Sequence, residues 1–407
     1  MKSHRICRKA LASAATVVVF LHFAGIAQAQ TITTLTSFKG SNGEYPEKGV
    51  TLSGSILYGT TELSGANGYG EVFSISVAGG TPTVLASFNG SNGSEPQAGL
   101  TLSGSTLYGT AGGGAYGDGE VFSVPVSGGT PTLLASFNGN NGTSPAAGLT
   151  LSGNTLYGTT EDGGAYGDGE VFSLPVIGGT PTVLTSFNGS NGEEPRAGLT
   201  LSGDGSTLYS TTFLGGANDD GEVFSLPVTG GTPTVLASFN NINGKYPDAD
   251  LTLSGSTLYG TTANAGAYGD GEVFSLPVTG GTPTVLASFN YSDGSEPTAG
   301  LSLSDGTLYG TTYYGGTYGR GEVFSLPVTG GTPTVLASFN GDNGGNPTGD
   351  LTVSGSTLYG TTYLGGTYGD GTVFSLSIPE PGSLSLLALG SIGLLNRRRR
   401  RCGNASF

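Results

Sequence analysis

Tryptophan is absent from this chain of 407 residues, methionine occurs once, and cysteine and histidine occur twice each. Met1, His4, Cys7 and His22 fall near the start and Cys402 near the end, so residues 30–378 contain none of these types. That long middle cannot form a disulfide. It cannot build a Ser-His-Asp or Cys-His nucleophile, nor an ordinary zinc site. Carboxylates remain as its acid–base groups, as in glycosidases. Cations are also scarce. Of 14 Lys and Arg, nine sit in the two ends, leaving Lys39, Lys48, Arg196, Lys245 and Arg320 to face all but one of the 29 acidic residues. A body this acidic repels nucleic acid and anionic membrane surfaces. No cofactor is implied, although such a body can attract calcium.

The ends differ from the middle. "MKSHRICRKA" places four basic residues before the apolar "LASAATVVVFLHFAGIAQAQ", which closes on Ala27-Gln28-Ala29. This is the layout of a cleaved signal peptide over residues 1–29, with an N-terminal membrane anchor as the alternative. The mature chain would begin near Gln30, outside the cytoplasm. At the other end, Pro379-Glu380-Pro381 precedes 14 uncharged residues, Gly382 to Leu395, and then Arg397 to Arg401. A helix of that length spans about 21 Å against a hydrocarbon core of about 30 Å. A plain stop-transfer anchor is the alternative. Basic clusters stay in the cytoplasm, so the body would face the opposite side of the inner membrane.

The order of that tail (residues 379–401) resembles the PEP-CTERM sorting signal of Gram-negative bacteria. Residues 402–407 extend past the usual ending. The resemblance implies an exosortase as processing partner and transient residence in the inner membrane. It also implies a cell-envelope, surface or extracellular destination, often beside exopolysaccharide.

The middle, residues 30–378, is one unit repeated seven times. "LYGT" or "LYST" begins at Leu57, Leu107, Leu156, Leu208, Leu258, Leu308 and Leu358. A period near 50 residues marks a repeat architecture. Each unit reads as four strands. They are A (AGLTLS), B (TLYGTT), C (EVFSLPV) and D (TVLASF), with apolar and polar residues alternating as in half-buried strands. Helical periodicity is missing throughout. The chain opens with a lone D, "TITTLTSF" at 31–38, and its last unit stops after C. That offset predicts an all-β, seven-bladed propeller of four-stranded blades closed by the N-terminal strand. A β-solenoid is the alternative, although it has no use for the offset. "LYGTTYLGGTYGDGTVFSL", Leu358 to Leu376, resembles the GloVer-type tandem repeat of secreted bacterial proteins, a family that carries no reaction with it.

Repetition bears on function. "FSLPVTGGTPTVLASFN" is identical at 224–240, 274–290 and 324–340, whereas a catalytic site needs a few singular residues. No catalytic residue is assigned. The adjacent carboxylates Glu193-Glu194 and Asp219-Asp220 read as solvated loop charge. The B–C loop offers more. It reads "GGAYGDGE" at 113–120 and 163–170, "AGAYGDGE" at 265–272 and "GGTYGDGT" at 365–372. Tyr69 and Arg320 replace the Asp in two copies, and 215–222 reads "GGANDDGE". A glycine turn explains the loop in part. A ligand-binding face of Tyr116, Asp118, Tyr166, Asp168, Tyr268, Asp270, Tyr318, Tyr368 and Asp370 is the functional expectation. Tyr stacks on sugar rings and Asp accepts hydroxyl hydrogen bonds, so an extracellular polysaccharide is the partner considered. Calcium at the Asp and Asn loops, including "NGSNGSEP" at 89–96, is a weaker alternative, because the EF-hand spacing is missing. The expected role is an exported structural or matrix-binding protein, with a carboxylate-based carbohydrate enzyme as the rival.

Overall fold

A computed structural model describes residues 30–378. The expected signal peptide and the sorting tail with Pro379, Glu380 and Pro381 lie outside the described residues. Among the described residues no helix is long and apolar enough to cross a membrane.

Seven four-stranded antiparallel sheets form the seven blades of a propeller. The first blade runs Thr51–Ser53 (A), Ile56–Thr61 (B), Glu71–Ser76 (C) and Thr83–Ser87 (D). Later blades repeat this order. The seventh takes A, B and C from Thr352–Ser354, Thr357–Thr362 and Thr372–Ser377. Its outer strand is Thr33–Ser37, from the other end of the chain. Thr33 pairs with Ser375, Thr34 with Phe374, Thr36 with Val373 and Ser37 with Thr372. The lone D strand therefore closes the ring as its phase predicts, and a solenoid is ruled out because first and last strands share a sheet.

The core lies between blades rather than within them. Phe88, just after the first D strand, meets Phe122 of the next blade edge-on at 5.0 Å. The same pair recurs at all seven junctions, and Phe38–Phe73 makes it across the seam at 5.0 Å. Such pairs add roughly 0.5–1.5 kcal/mol each beyond the area they bury. The glycine of "LYGT" follows from this packing. A Cβ on Gly109 would stand 2.7 Å from the Phe122 ring.

Strand B departs from the half-buried reading. Leu57 packs toward the seventh blade with Leu35 and Phe38, while Tyr58 packs toward the second with Leu107 and Phe122. Both faces are covered because each blade is sandwiched between two others. Some of its buried hydroxyls tie neighbouring blades together, while those of Thr61, Thr160, Thr212 and Thr311 have no partner. The Thr60 hydroxyl donates to the Ala98 carbonyl of the next blade at 3.1 Å. Nearer the axis, the first residue of every A strand donates to a carbonyl at the start of the following blade. The circuit runs from Thr51 to Leu100, through Thr101, Thr150, Thr200, Thr252 and Ser302, and returns from Thr352 to Val50.

Candidate functional site

Antiparallel strands place the B–C and D–A loops at one end of every blade, which makes a single loop face. The rings of Tyr116, Tyr166, Tyr268, Tyr318 and Tyr368 stand 58–67% exposed there, so neighbouring loops do not cover them. Two blades carry Asn in that place. Asn67 and Asn218 turn inward and donate to the Phe88 and Phe239 carbonyls at 3.0 and 2.7 Å.

The backbone at the aspartate position braces the next loop in every blade, including those with Tyr69, Asp220 and Arg320 there. The carbonyls of Asp118, Asp168, Asp270 and Asp370 accept the N–H of Ser144, Glu194, Glu296 and Tyr45 at 2.9–3.1 Å. Each acceptor braces the residue before the proline of a D–A loop. Those residues need the brace, because all four hold left-handed φ angles of 53–59°. The Asp270 carboxylate accepts from Ser295 at 2.7 Å and from the Tyr291 N–H at 2.9 Å. Asp118 accepts weakly from Thr143 at 3.4 Å. At Asp118 and Asp270, then, the Tyr ring faces solvent while the carboxylate accepts from the next loop. Of the acidic neighbours, Glu194 binds Arg196 at 2.7 Å and Asp219 accepts the Gly215 N–H at 3.2 Å.

The expectation that repetition leaves few singular residues fails at the axis. Three residues lead into each A strand. Two of these lead-ins read Gln97-Ala98-Gly99 and Ala146-Ala147-Gly148, and a third reads Thr298-Ala299-Gly300. The other four read Glu47-Lys48-Gly49, Arg196-Ala197-Gly198, Asp248-Ala249-Asp250 and Thr348-Gly349-Asp350. Ring closure brings these lead-ins together around a cavity of about 200 Å³ lined from all seven blades. Its mouth on the loop face adds about 360 Å³ between Glu47, Asp248, Glu296, Tyr313 and Tyr363. Comparing the seven lead-ins would have shown these breaks, although only the closed ring shows that they meet.

Charge in the cavity is unbalanced. Arg196 is committed, with Glu161 at 2.9 Å, Glu194 at 2.7 Å and its guanidinium 3.8 Å from the Phe213 ring centre. Among the described residues the ion pairs are those of Arg196, so the half-buried Lys48 ammonium touches no carboxylate directly. Burial acts to lower the Lys48 pKa, but Asp248, Glu47, Asp250 and Asp350 together hold it above the usual range. Burial pushes Glu47 up to about 7, against the pull of Lys48 and with help from Glu62 and Asp248. Asp350 rises to about 6 through burial and the nearby charge of Asp250. Burial also raises Asp248. Two of these carboxylates are fixed in place. Asp250 accepts the Gly198 N–H at 2.6 Å, and Asp350 accepts the Gly300 N–H at 2.5 Å. Glu47 Oε2 and Thr298 Oγ1 are shut off from solvent without a partner.

Several solved structures share this architecture. A Bacteroides uniformis protein described as a 6-phosphogluconolactonase aligns with a TM-score of 0.52 and 18% identity, covering 77% of this chain and 89% of its own. A puromycin-hydrolyzing peptidase of Mycobacterium tuberculosis aligns with a TM-score of 0.50 and 13% identity, covering 82% of this chain and 52% of its own. Identities this low show the fold alone. No curated protein matches the chain. The PEP-CTERM protein-sorting motif matches residues 377–401, which indicates an exported protein of a Gram-negative bacterium and implies processing by an exosortase. The Gloeobacter/Verrucomicrobia repeat matches residues 23–207 and 154–374, nearly the whole propeller, and the chain therefore belongs to that repeat family.

Proposed function

We propose that this exported propeller is a matrix-binding protein of the cell surface, which holds an extracellular polysaccharide on its loop face. The observation that carries this reading is the set of five Tyr rings at one loop position, each 58–67% exposed. A ring left in water gains little for the fold, and its flat apolar face suits a sugar ring. Each contact alone is weak. Linked contacts on one rigid ring can gain roughly 100- to 10,000-fold in avidity when a polymer reaches several at once. The test is co-sedimentation with the producer's matrix polysaccharide, with and without calcium. Changing Tyr116, Tyr166, Tyr268, Tyr318 and Tyr368 together to Ala should abolish retention and leave the melting temperature unchanged. A wild-type protein that sediments with no such polymer would end the reading.

A second reading, carboxylate-based carbohydrate chemistry, is favoured by Glu47 and Asp248 at the axial mouth. Glu47, held near 7, is suited to give and take a proton near neutral pH. Release of reducing ends from that polysaccharide, lost in Glu47→Gln, would support it.

A further inference from the structure

We propose that the axial cavity binds a single amino sugar in its protonated form, a ring that carries hydroxyl groups and one ammonium. This rests on the reading that the loop face takes a glycan, and it gives the axis a separate role, the recognition of one residue rather than of a polymer.

Shape comes first. Only four of the seven lead-ins carry charge at the axis, so the cavity has a charged wall and a bare one. Gly99, Ala147 and Gly148 line the bare side, and a Cβ added to Gly99 would meet nothing within 4 Å. Small residues leave the room there, and charged ones opposite supply recognition. About 200 Å³ accommodates one monosaccharide-sized ring. A polymer lying on the Tyr rings could offer one such unit at the mouth, between Tyr313 and Tyr363.

Charge comes second. Glu47, Asp248, Asp250 and Asp350 surround one uncommitted ammonium, that of Lys48. An anionic sugar would face net repulsion. A bare metal ion is disfavoured by Lys48 itself, and among the described residues no group of three or more acidic side chains could hold one. A neutral sugar would leave the carboxylates uncompensated. A second ammonium answers them, while the hydroxyl groups of the sugar serve Lys48 as acceptors. Asp250 and Asp350 are already oriented by backbone N–H groups, so binding does not need to order them.

Calorimetry with glucosamine, glucose and glucuronate tests this, because the three share a ring and differ in charge. Glucosamine should bind, glucose roughly tenfold or more weakly, and glucuronate not measurably. Asp350→Asn keeps the acceptor for Gly300 and removes the charge, and should weaken glucosamine roughly tenfold while leaving glucose unchanged. Gly99→Leu, which fills the bare wall, should abolish binding of both in a protein that still melts cooperatively. Equal binding of glucose and glucosamine, tighter binding of glucuronate, or no heat with any of the three would overturn the proposal. The fivefold Tyr→Ala protein should bind glucosamine like wild type. If that protein also retains the polymer, the loop-face reading fails alone. If glucosamine does not bind while polymer retention still depends on the tyrosines, the axial proposal fails alone.

Discussion

Thr361, in the last blade, donates its hydroxyl to the carbonyl oxygen of Lys48, in the first, at 2.9 Å. These residues stand 313 positions apart in the chain. The bond belongs to the same series as Thr60 to Ala98, Thr110 to Ala147, Thr159 to Ala197 and Thr261 to Ala299, so the seam is built like most other junctions. It also fixes the backbone that carries Lys48 into the axial cavity. Closure of the ring and formation of the cavity are therefore one event.

Removing residues 30–39 tests closure directly. The truncated chain loses the outer strand of the seventh blade together with Leu35 and Phe38, which pack on Leu57 and Phe73. It exposes the edge of Thr372–Ser377 and opens the seam. Its melting temperature should fall well below that of the intact protein, and the transition should broaden. Phe38→Ala alone should cost about 3–5 kcal/mol, the range for a buried Phe. Equal melting of truncated and intact chains would show that the seam contributes nothing.

The period of 50 and the phase of the repeats were enough to read the architecture, including which strand closes it. The loop tyrosines were legible too, because one position recurs in five blades. Other features depend on what meets what. The alternation of "TLYGTT" could not say that both faces are covered, since Leu57 and Tyr58 find their partners in different blades. Glu47, Asp248 and Asp350 look like isolated loop charges until the ring places them around one axis. Asp270 stands out in the sequence by its company with Tyr268, but that each of its oxygens also accepts a hydrogen bond from the next loop shows only in the fold.

Glycine in "LYGT" makes a sharp prediction about packing. Gly109→Ala would set a Cβ 2.7 Å from the Phe122 ring and 3.1 Å from Leu100. Overpacking of this kind costs about 1–3 kcal/mol. Gly99→Ala, with open space around its Cβ, should be near neutral. Urea unfolding of both proteins gives the comparison. Equal stability of the two variants would mean that the Phe ring has room to move.

Sorting makes a prediction about the tail. With an exosortase present, the exported protein should lack Arg397 to Phe407. Changing Pro379, Glu380 and Pro381 together to Ala should leave the chain in the inner membrane with its arginines cytoplasmic. Mass spectrometry of the released protein reads the result directly, and an intact tail on secreted protein would contradict it.

Acid should stabilise this protein, contrary to the usual pattern of acid denaturation. Six C strands begin with a glutamate that is only 1–2% exposed, and in each at least one carboxylate oxygen has no partner. Glu120 has none for either oxygen, and burial pushes it up to about 7. Burial likewise raises Glu170, Glu222, Glu272 and Glu322. At the axis Glu47 reaches about 7 and Asp350 about 6. The unfolded chain releases these protons near the ordinary carboxylate values, 4.5 for Glu and 3.8 for Asp. Between about pH 4.5 and 7 the folded protein therefore holds protons that the unfolded chain has lost. Stability must then fall as pH rises through that window, with the contribution complete below it and gone above it. The excess of acidic residues acts in the same direction, since deprotonation adds to self-repulsion. The melting temperature should be higher at pH 5 than at pH 8. Glu120→Gln should flatten part of that slope, because the amide stays neutral throughout. The seventh blade shows a neutral solution already in use, with Thr372 in place of the glutamate and its hydroxyl 2.8 Å from that of Thr362. A melting temperature that rises from pH 5 to pH 8, or a slope unchanged in Glu120→Gln, would show that these carboxylates are ionised in the folded protein.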